Sequence, residues 1–245
     1  VSADERASRS AHLTDERWIS LLETGTVEVE GRMPWSSNAT FLARVSLDNE
    51  TVRAIYKPRA GERELWDFPD GLCRREIAAF ELDRSLGLGV VPATVLRADA
   101  PFGEGSLQRF IDANFAEHYF SLREIDEHLE ALRTVAAFDL LANNADRKGG
   151  HLLVDRLKRV WAIDNGLSFH VEPKLRTVMW DFIGDEIPSS VVEGARSLVR
   201  LVPEPLSSLL SSDEIEALVE RAKRLIEDPR FPEPDAEARL PWPLV

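Results

Sequence analysis

DLLANNADRKGGHLLVDRLKRVWAIDNGLSF, residues 139–169, is the stretch on which the reading of this chain turns. It gathers Asn143, Asn144, Asp146, Arg147, Lys148 and His151 within nine residues. An apolar run (152–154), a short charged turn and a second apolar run (160–163) follow, and the latter leads into Asp164-Asn165-Gly166. Short apolar runs on either side of a turn predict a β-hairpin. Each aspartate then lies beside a strand-like segment. Two carboxylates so placed suit the handling of a metal-bound phosphate: one orients a nucleophile, the other holds the metal. Taken singly, each has a plainer reading. Asn143 to Asp146 suits a helix end and turn, and Asn165-Gly166 is a strong hairpin signal.

Upstream residues raise the specificity of the pair. Residues 41–47 alternate in hydropathy, 48–50 (DNE) read as a hairpin turn, and 51–57 (TVRAIYK) read as the return strand, stopped by Pro58. Lys57 closes that strand. A strand lysine facing a nucleotide neutralises phosphate charge when a helix glutamate holds it. Glu76, in the helical stretch 74–86, is the candidate partner, with Glu81 as its competitor. The loop 31–40 lacks the glycine spacing of either common phosphate-binding motif, yet its backbone and the hydroxyls of Ser36 and Ser37 suit a phosphate. An ordinary polar hairpin explains it equally well.

Other elements follow from pattern. Residues 14–24 predict a helix N-capped by Thr14, residues 25–30 a strand, 90–97 and 106–111 two more strands. Residues 122–132 and 134–141 look helical, as does most of 189–227. The expected fold class is α+β: a two-lobed, protein-kinase-like arrangement with a small β-rich N-lobe (25–109) and a mainly helical C-lobe (110–245), preceded by an N-terminal segment (1–24). A cleft between lobes is a common ligand site.

Composition sets bounds. The 245 residues are 44% hydrophobic, enough for a sizeable core. A formal net charge of −13 argues against non-specific nucleic-acid binding, which needs a basic surface. Cys73 is the only cysteine, so no intrachain disulfide forms, and a reducing, cytoplasmic location is expected. No run approaches the roughly 18 apolar residues of a membrane span, so no integral membrane association is expected. Oligomeric state is not legible.

AIYKP (54–58), REIAAFELD (75–83), SLQRFI (106–111), NNADRKGGH (143–151) and AIDNGLSF (162–169), in this order, resemble the phosphatidylinositol 3- and 4-kinase superfamily. The type II 4-kinase-like branch and its bacterial relatives are nearest, and HipA-type kinases are a more distant likeness. The resemblance implies Mg²⁺ and ATP, with Mn²⁺ as an alternative metal, and a hydroxyl acceptor on a small molecule, protein or lipid head group. It implies that Lys57, beside Ile55, contacts ATP phosphates and that Glu76 pairs with it. Ser36, Ser37 and Asn38 become the phosphate loop. Gln108, Arg109, Phe110 and Ile111 become the hinge beside adenine. Asp146 becomes the catalytic aspartate, aided by Lys148 near the γ-phosphate, and Asp164 binds metal. One departure stands out: His151 occupies the position where relatives carry a metal-binding Asn. It is either a metal ligand or a strand-opening residue bonded to neighbouring backbone. An active kinase is the favoured reading. An ATP-binding pseudokinase and a non-enzymatic acidic docking protein are the alternatives.

Overall fold

The computed structural model describes residues 13–34, 38–234 and 240–245. They form two compact units. One holds the described residues of Val1–Ile77 with Pro92–Asp112; the other holds Ala78–Val91 with the described residues of Ala113–Val245.

The first unit is built on a five-stranded antiparallel sheet ordered β1-β2-β3-β5-β4. Its strands are β1 (Thr26–Arg32), β2 (Phe41–Leu47), β3 (Glu50–Pro58), β4 (Thr94–Arg97) and β5 (Gly105–Arg109). The hydropathic alternation of β2 and β3 is realised in burial: Ala43, Val45, Val52, Ala54 and Tyr56 are all buried, as a half-buried strand pair requires. Asp48 turns the hairpin between them in a left-handed conformation, φ 53°, which Asp tolerates better than most residues. Strand β3 continues through Pro58, opposite Gly105, so the proline ends the strand from inside rather than stopping it at Lys57.

Helix α1 (Asp15–Thr24) opens on Thr14, whose hydroxyl accepts the Arg17 N–H at 3.3 Å. It buries Trp18, Leu21 and Leu22. Its C-terminal carbonyls are satisfied by buried Arg97, which donates to Leu22 O (2.8 Å) and Gly25 O (2.9 Å). At Gly25 any Cβ would lie 2.6 Å from both the Leu21 carbonyl and the Val45 side chain, so only glycine lets the helix end close onto the sheet.

Helix α2 (Leu72–Leu86) runs from the first unit into the second. Its N-terminal amides would be orphaned without a cap. Glu62 supplies one: its carboxylate accepts from Gly71 N (3.2 Å), Leu72 N (3.0 Å) and Cys73 N (2.7 Å). Cys73 itself is buried, and burial pushes its thiol up to about 12, which removes it as a nucleophile.

The second unit is mainly helical: α3 (Tyr119–Leu122), α4 (Asp126–Ala142), α5 (Ser189–Arg200), α6 (Glu204–Leu209) and α7 (Ser212–Glu227), with the hairpin β6 (Leu152–Val154) and β7 (Val160–Ala162). Helix α7 begins with a capping box between Ser211 and Glu214. The expected strand over 90–97 forms only from Thr94. Val90 is instead held by Asp83, whose carboxylate accepts its N–H at 3.0 Å, while its carbonyl accepts from Ala162 at 2.7 Å. Side-chain and hairpin partners take Val90 out of the sheet, and Pro92 offers no N–H to a ladder. No described helix is long and apolar enough to cross a membrane.

Glu62→Ala should cost about 1–2 kcal/mol of stability, the usual worth of a good N-terminal cap. Urea denaturation followed by circular dichroism checks it; a change within a few tenths would mean that water replaces the carboxylate.

Candidate functional site

In the first unit, Lys57 and Ile55 lie on one face of β3, opposite Ser106 and Gln108 of β5. Lys57 Nζ forms an ion pair with Glu76 Oε1 of α2. The lysine side chain is 22% exposed and the glutamate only 4%. Glu81, the competing acid, pairs with Arg84 one helical turn on. The two glutamates are five residues apart and therefore point to different sides of the helix.

The expected hinge residues are structurally engaged. Gln108 is buried and donates to Thr94 Oγ1 at 2.8 Å. Arg109 stacks on Trp18, its guanidinium carbon 5.0 Å from the ring centroid. Phe110 donates its N–H to Arg53 O at 3.2 Å, and Ile111 is buried. Asn38 Oδ1 accepts the Arg63 N–H at 3.1 Å. Ser36 and Ser37 lie outside the described residues.

In the second unit, helix α4 stops at Asn143, which adopts the left-handed conformation (φ 54°) and returns its N–H to Asp139 O. Its side chain donates to His170 O and Glu172 O and accepts from Lys174 N. Asn144 Oδ1 then accepts the Asp146 N–H at 2.9 Å, an Asx-type turn that aims the next residues. Backbone bonds from Ala145 to Leu167 (2.8 Å), Phe169 to Ala142 (2.6 Å) and Arg147 to Arg176 (2.9 Å) tie this loop to the segment after β7. The plain helix-end reading is met: Asn143 caps the helix, and the turn that follows carries Asp146.

Arg147 was not among the expected site residues, yet it organises them. It is fully buried. Its Nε and Nη2 meet both oxygens of Asp139 at 2.8 and 2.9 Å. Its Nη1 donates to Ile163 O and its Nη2 to Asn165 Oδ1, each at 2.6 Å. Arg147 therefore follows Asp146 in sequence and grips the two residues flanking Asp164. The legible signal is Asp139 itself, a lone charge in the apolar run AAFDLLA, which demands a buried cation.

Asp146 Oδ2 receives Lys148 Nζ at 2.8 Å. Burial raises the Asp146 carboxyl above its ordinary range; Lys148 opposes that shift, and the nearby charge of Asp164 adds to it. Asp164 is 52% exposed and holds a left-handed φ of 61°. His151 Nε2 lies 3.3 Å from Asp164 Oδ2. The other ring nitrogen, Nδ1, faces the Lys148 N–H at 3.4 Å. An accepting Nδ1 favours the neutral tautomer with its proton on Nε2, directed at Asp164.

The resemblance read in the sequence implies a divalent cation beside nucleotide phosphates. Among the described residues no group of three or more His, Cys, Asp or Glu is placed to cage a metal. Magnesium commonly takes one or two carboxylates, several waters and substrate phosphates. An exposed Asp164 oriented by His151 fits that sparse demand.

No model of a known protein family matches the chain. Protein Rv2133c of Mycobacterium tuberculosis is 36% identical over 262 aligned positions, covering 91% of this chain and 94% of its own length, and the chain belongs to the family of that protein. A solved structure of hydra Fam20 with sugar aligns over 88% of this chain and 89% of its own, with 18% identity and a TM-score of 0.51. A Helicobacter pylori proinflammatory kinase, CtkA, aligns over 85% of this chain and 94% of its own at 13% identity and a TM-score of 0.44. Among the described residues the mixed α/β fold has a five-stranded antiparallel sheet and seven α-helices, and it is the fold that the Fam20 structure shares.

Arg147→Met should cost about 3–5 kcal/mol, because it strands the Asp139 carboxylate in the interior. The double variant Asp139→Leu/Arg147→Met should recover much of that loss. Chemical denaturation of the two single variants and the double variant measures the coupling; independent, additive costs would show that the pair does not hold the loops together.

Proposed function

We propose that this member of the Rv2133c family is an ATP-dependent kinase that transfers the γ-phosphate to a hydroxyl acceptor. The observation that carries the reading is the Lys57–Glu76 ion pair. A lysine at a strand end is ordinarily solvated, and drawing it to a nearly buried glutamate costs desolvation. Such an arrangement is worth its cost where a fixed cation must meet phosphate oxygens.

In this reading Lys57 neutralises the phosphates that become the leaving group. Asp146 orients the acceptor hydroxyl and takes its proton as the new bond to the γ-phosphorus forms and the bond to the β–γ bridging oxygen breaks. Lys148, already paired with Asp146 at 2.8 Å, lies beside that carboxylate to balance charge on the transferring group. Asp164 would hold the divalent cation, which would supply charge neutralisation. His151, directed at Asp164 Oδ2, sets the carboxylate's orientation, which supports a positioning role over direct ligation. Because Mg²⁺ prefers oxygen donors, that division also suits the metal. The remaining residues expected to meet nucleotide are Ile55, Asn38 and the 108–111 segment.

One observation favours a second reading. With His151 in the place of a metal-binding Asn, the chain would hold nucleotide without transferring phosphate. Binding and turnover separate the two.

Mg-ATP at about 100 times its Kd should raise unfolding stability by roughly 2.7 kcal/mol. A flat melting profile would remove both nucleotide readings. Asp164→Ala and Lys57→Ala should each lower phosphate transfer by on the order of 10³-fold, as loss of a charged transition-state contact does. Tight Mg-ATP binding without turnover across acceptors would select the pseudokinase.

The pH dependence has a fixed sign. Asp146 must be ionised to accept a proton, so activity falls as pH falls through its raised pKa. The acid limb of kcat/KM should therefore lie above the ordinary aspartate value of about 3.9. Lys148→Met should move that limb to still higher pH, since Lys148 holds the carboxyl down. A limb that stays in place would separate Lys148 from Asp146.

A further inference from the structure

The described segment 240–245 (LPWPLV) is seated on the loop that carries Asp146 and Lys148. The Gly149 N–H donates to the Leu244 carbonyl oxygen at 2.7 Å. A side chain at Gly149 would meet that oxygen and the Phe120 ring, both at 3.3 Å, and one at Gly150 would meet Val245 at 3.6 Å. The glycine pair thus leaves just enough room for a second length of polypeptide against the loop backbone, one residue beyond Lys148. Recognition through a main-chain bond takes an extended peptide and reads little of its sequence.

The segment spends little of its own apolar surface in that seat. Trp242 is 85% exposed, and Leu240 and Val245 are each 55% exposed. Pro241 is its buried residue. A permanently docked element would bury its tryptophan, the largest apolar surface it has. A seat held through a main-chain hydrogen bond, with the tryptophan left outside it, is one that a competitor can take.

We propose that 240–245 is a displaceable strap, which competes with an extended polypeptide acceptor for the surface formed by Phe120, Gly149 and Gly150. The inference rests on the kinase reading and deepens it: the acceptor hydroxyl belongs to a polypeptide, and residues 240–245 regulate access to the loop.

The test compares the full chain with a chain ending at residue 239, using radiolabelled ATP and a randomised mixture of serine- and threonine-containing peptides. Removing the strap should lower the acceptor KM by about fivefold, the equivalent of one net hydrogen bond. The Mg-ATP thermal shift should not change. The hexapeptide LPWPLV added to the shortened chain should raise the acceptor KM again and leave the ATP KM alone. An unchanged or higher acceptor KM in a shortened chain that still binds Mg-ATP overturns the strap and leaves the kinase reading standing. Absence of a Mg-ATP shift in both chains overturns the kinase reading, and the strap with it. Should the shortened chain not fold, hydrogen exchange in the full chain decides. Protection of the Gly149 amide that falls when the acceptor peptides are added supports displacement; protection that holds or rises overturns it.

Discussion

A single buried guanidinium organises the second unit. Arg147 meets Asp139 of α4 through two hydrogen bonds and then reaches Ile163 O and Asn165 Oδ1 on either side of Asp164. Lysine would not substitute. Its ammonium offers three donors from one point, while the planar fork serves the carboxylate and two further acceptors in fixed directions. Because Asp146 precedes Arg147, the loop bearing the proposed base and the loop bearing the proposed metal ligand are held by one side chain. A buried ion pair gives little net stability. Its value here is positional: one side chain holds the two loops that bear the aspartates.

The same economy runs through the rest of the chemistry. Around the candidate residues, charges leave water against a partner. Glu76 is nearly buried against Lys57, and Asp146 is partly buried against Lys148. Glu62 spends its carboxylate on three amides at the start of α2, the helix that carries Glu76. Asp164 differs: it is half exposed and in a left-handed conformation, with His151 directed at it. A carboxylate open to solvent, with a neighbour directed at it, suits the metal-holding role proposed for Asp164.

Local pattern made much of the fold legible. Thr14 announced its helix because a capping hydroxyl acts within three residues. The 41–47 strand and its return strand could be read from alternation and the Asp48-Asn49 turn, since strand period and turn chemistry are local. Residues 90–93 misled for the opposite reason. Their apolar, β-branched character suits a strand, yet Val90 is bonded to Asp83 and Ala162. Ala162 lies outside any local window, and the turn that brings Asp83 back to Val90 leaves no mark in hydropathy. Among the candidate residues, the order of Lys57, Glu76, Asp146 and Asp164 stood out in the sequence, whereas Arg147 was named in the motif without a role.

By itself the sequence determined which chemistry the chain can hold: a strand lysine, a helix glutamate and two turn-borne aspartates, in a kinase-like order. It also determined most helix and strand positions, because caps, turns and periodicity act over a few residues. Tertiary structure alone decided which charges are partnered. It selected Glu76 over Glu81 for Lys57, buried Arg147 with Asp139, turned His151 toward Asp164 and laid 240–245 on Gly149. The physical reason is common to all four. Whether a polar group is solvated or paired depends on what folding brings within about 3 Å of it, and that distance is set by residues far away in the chain.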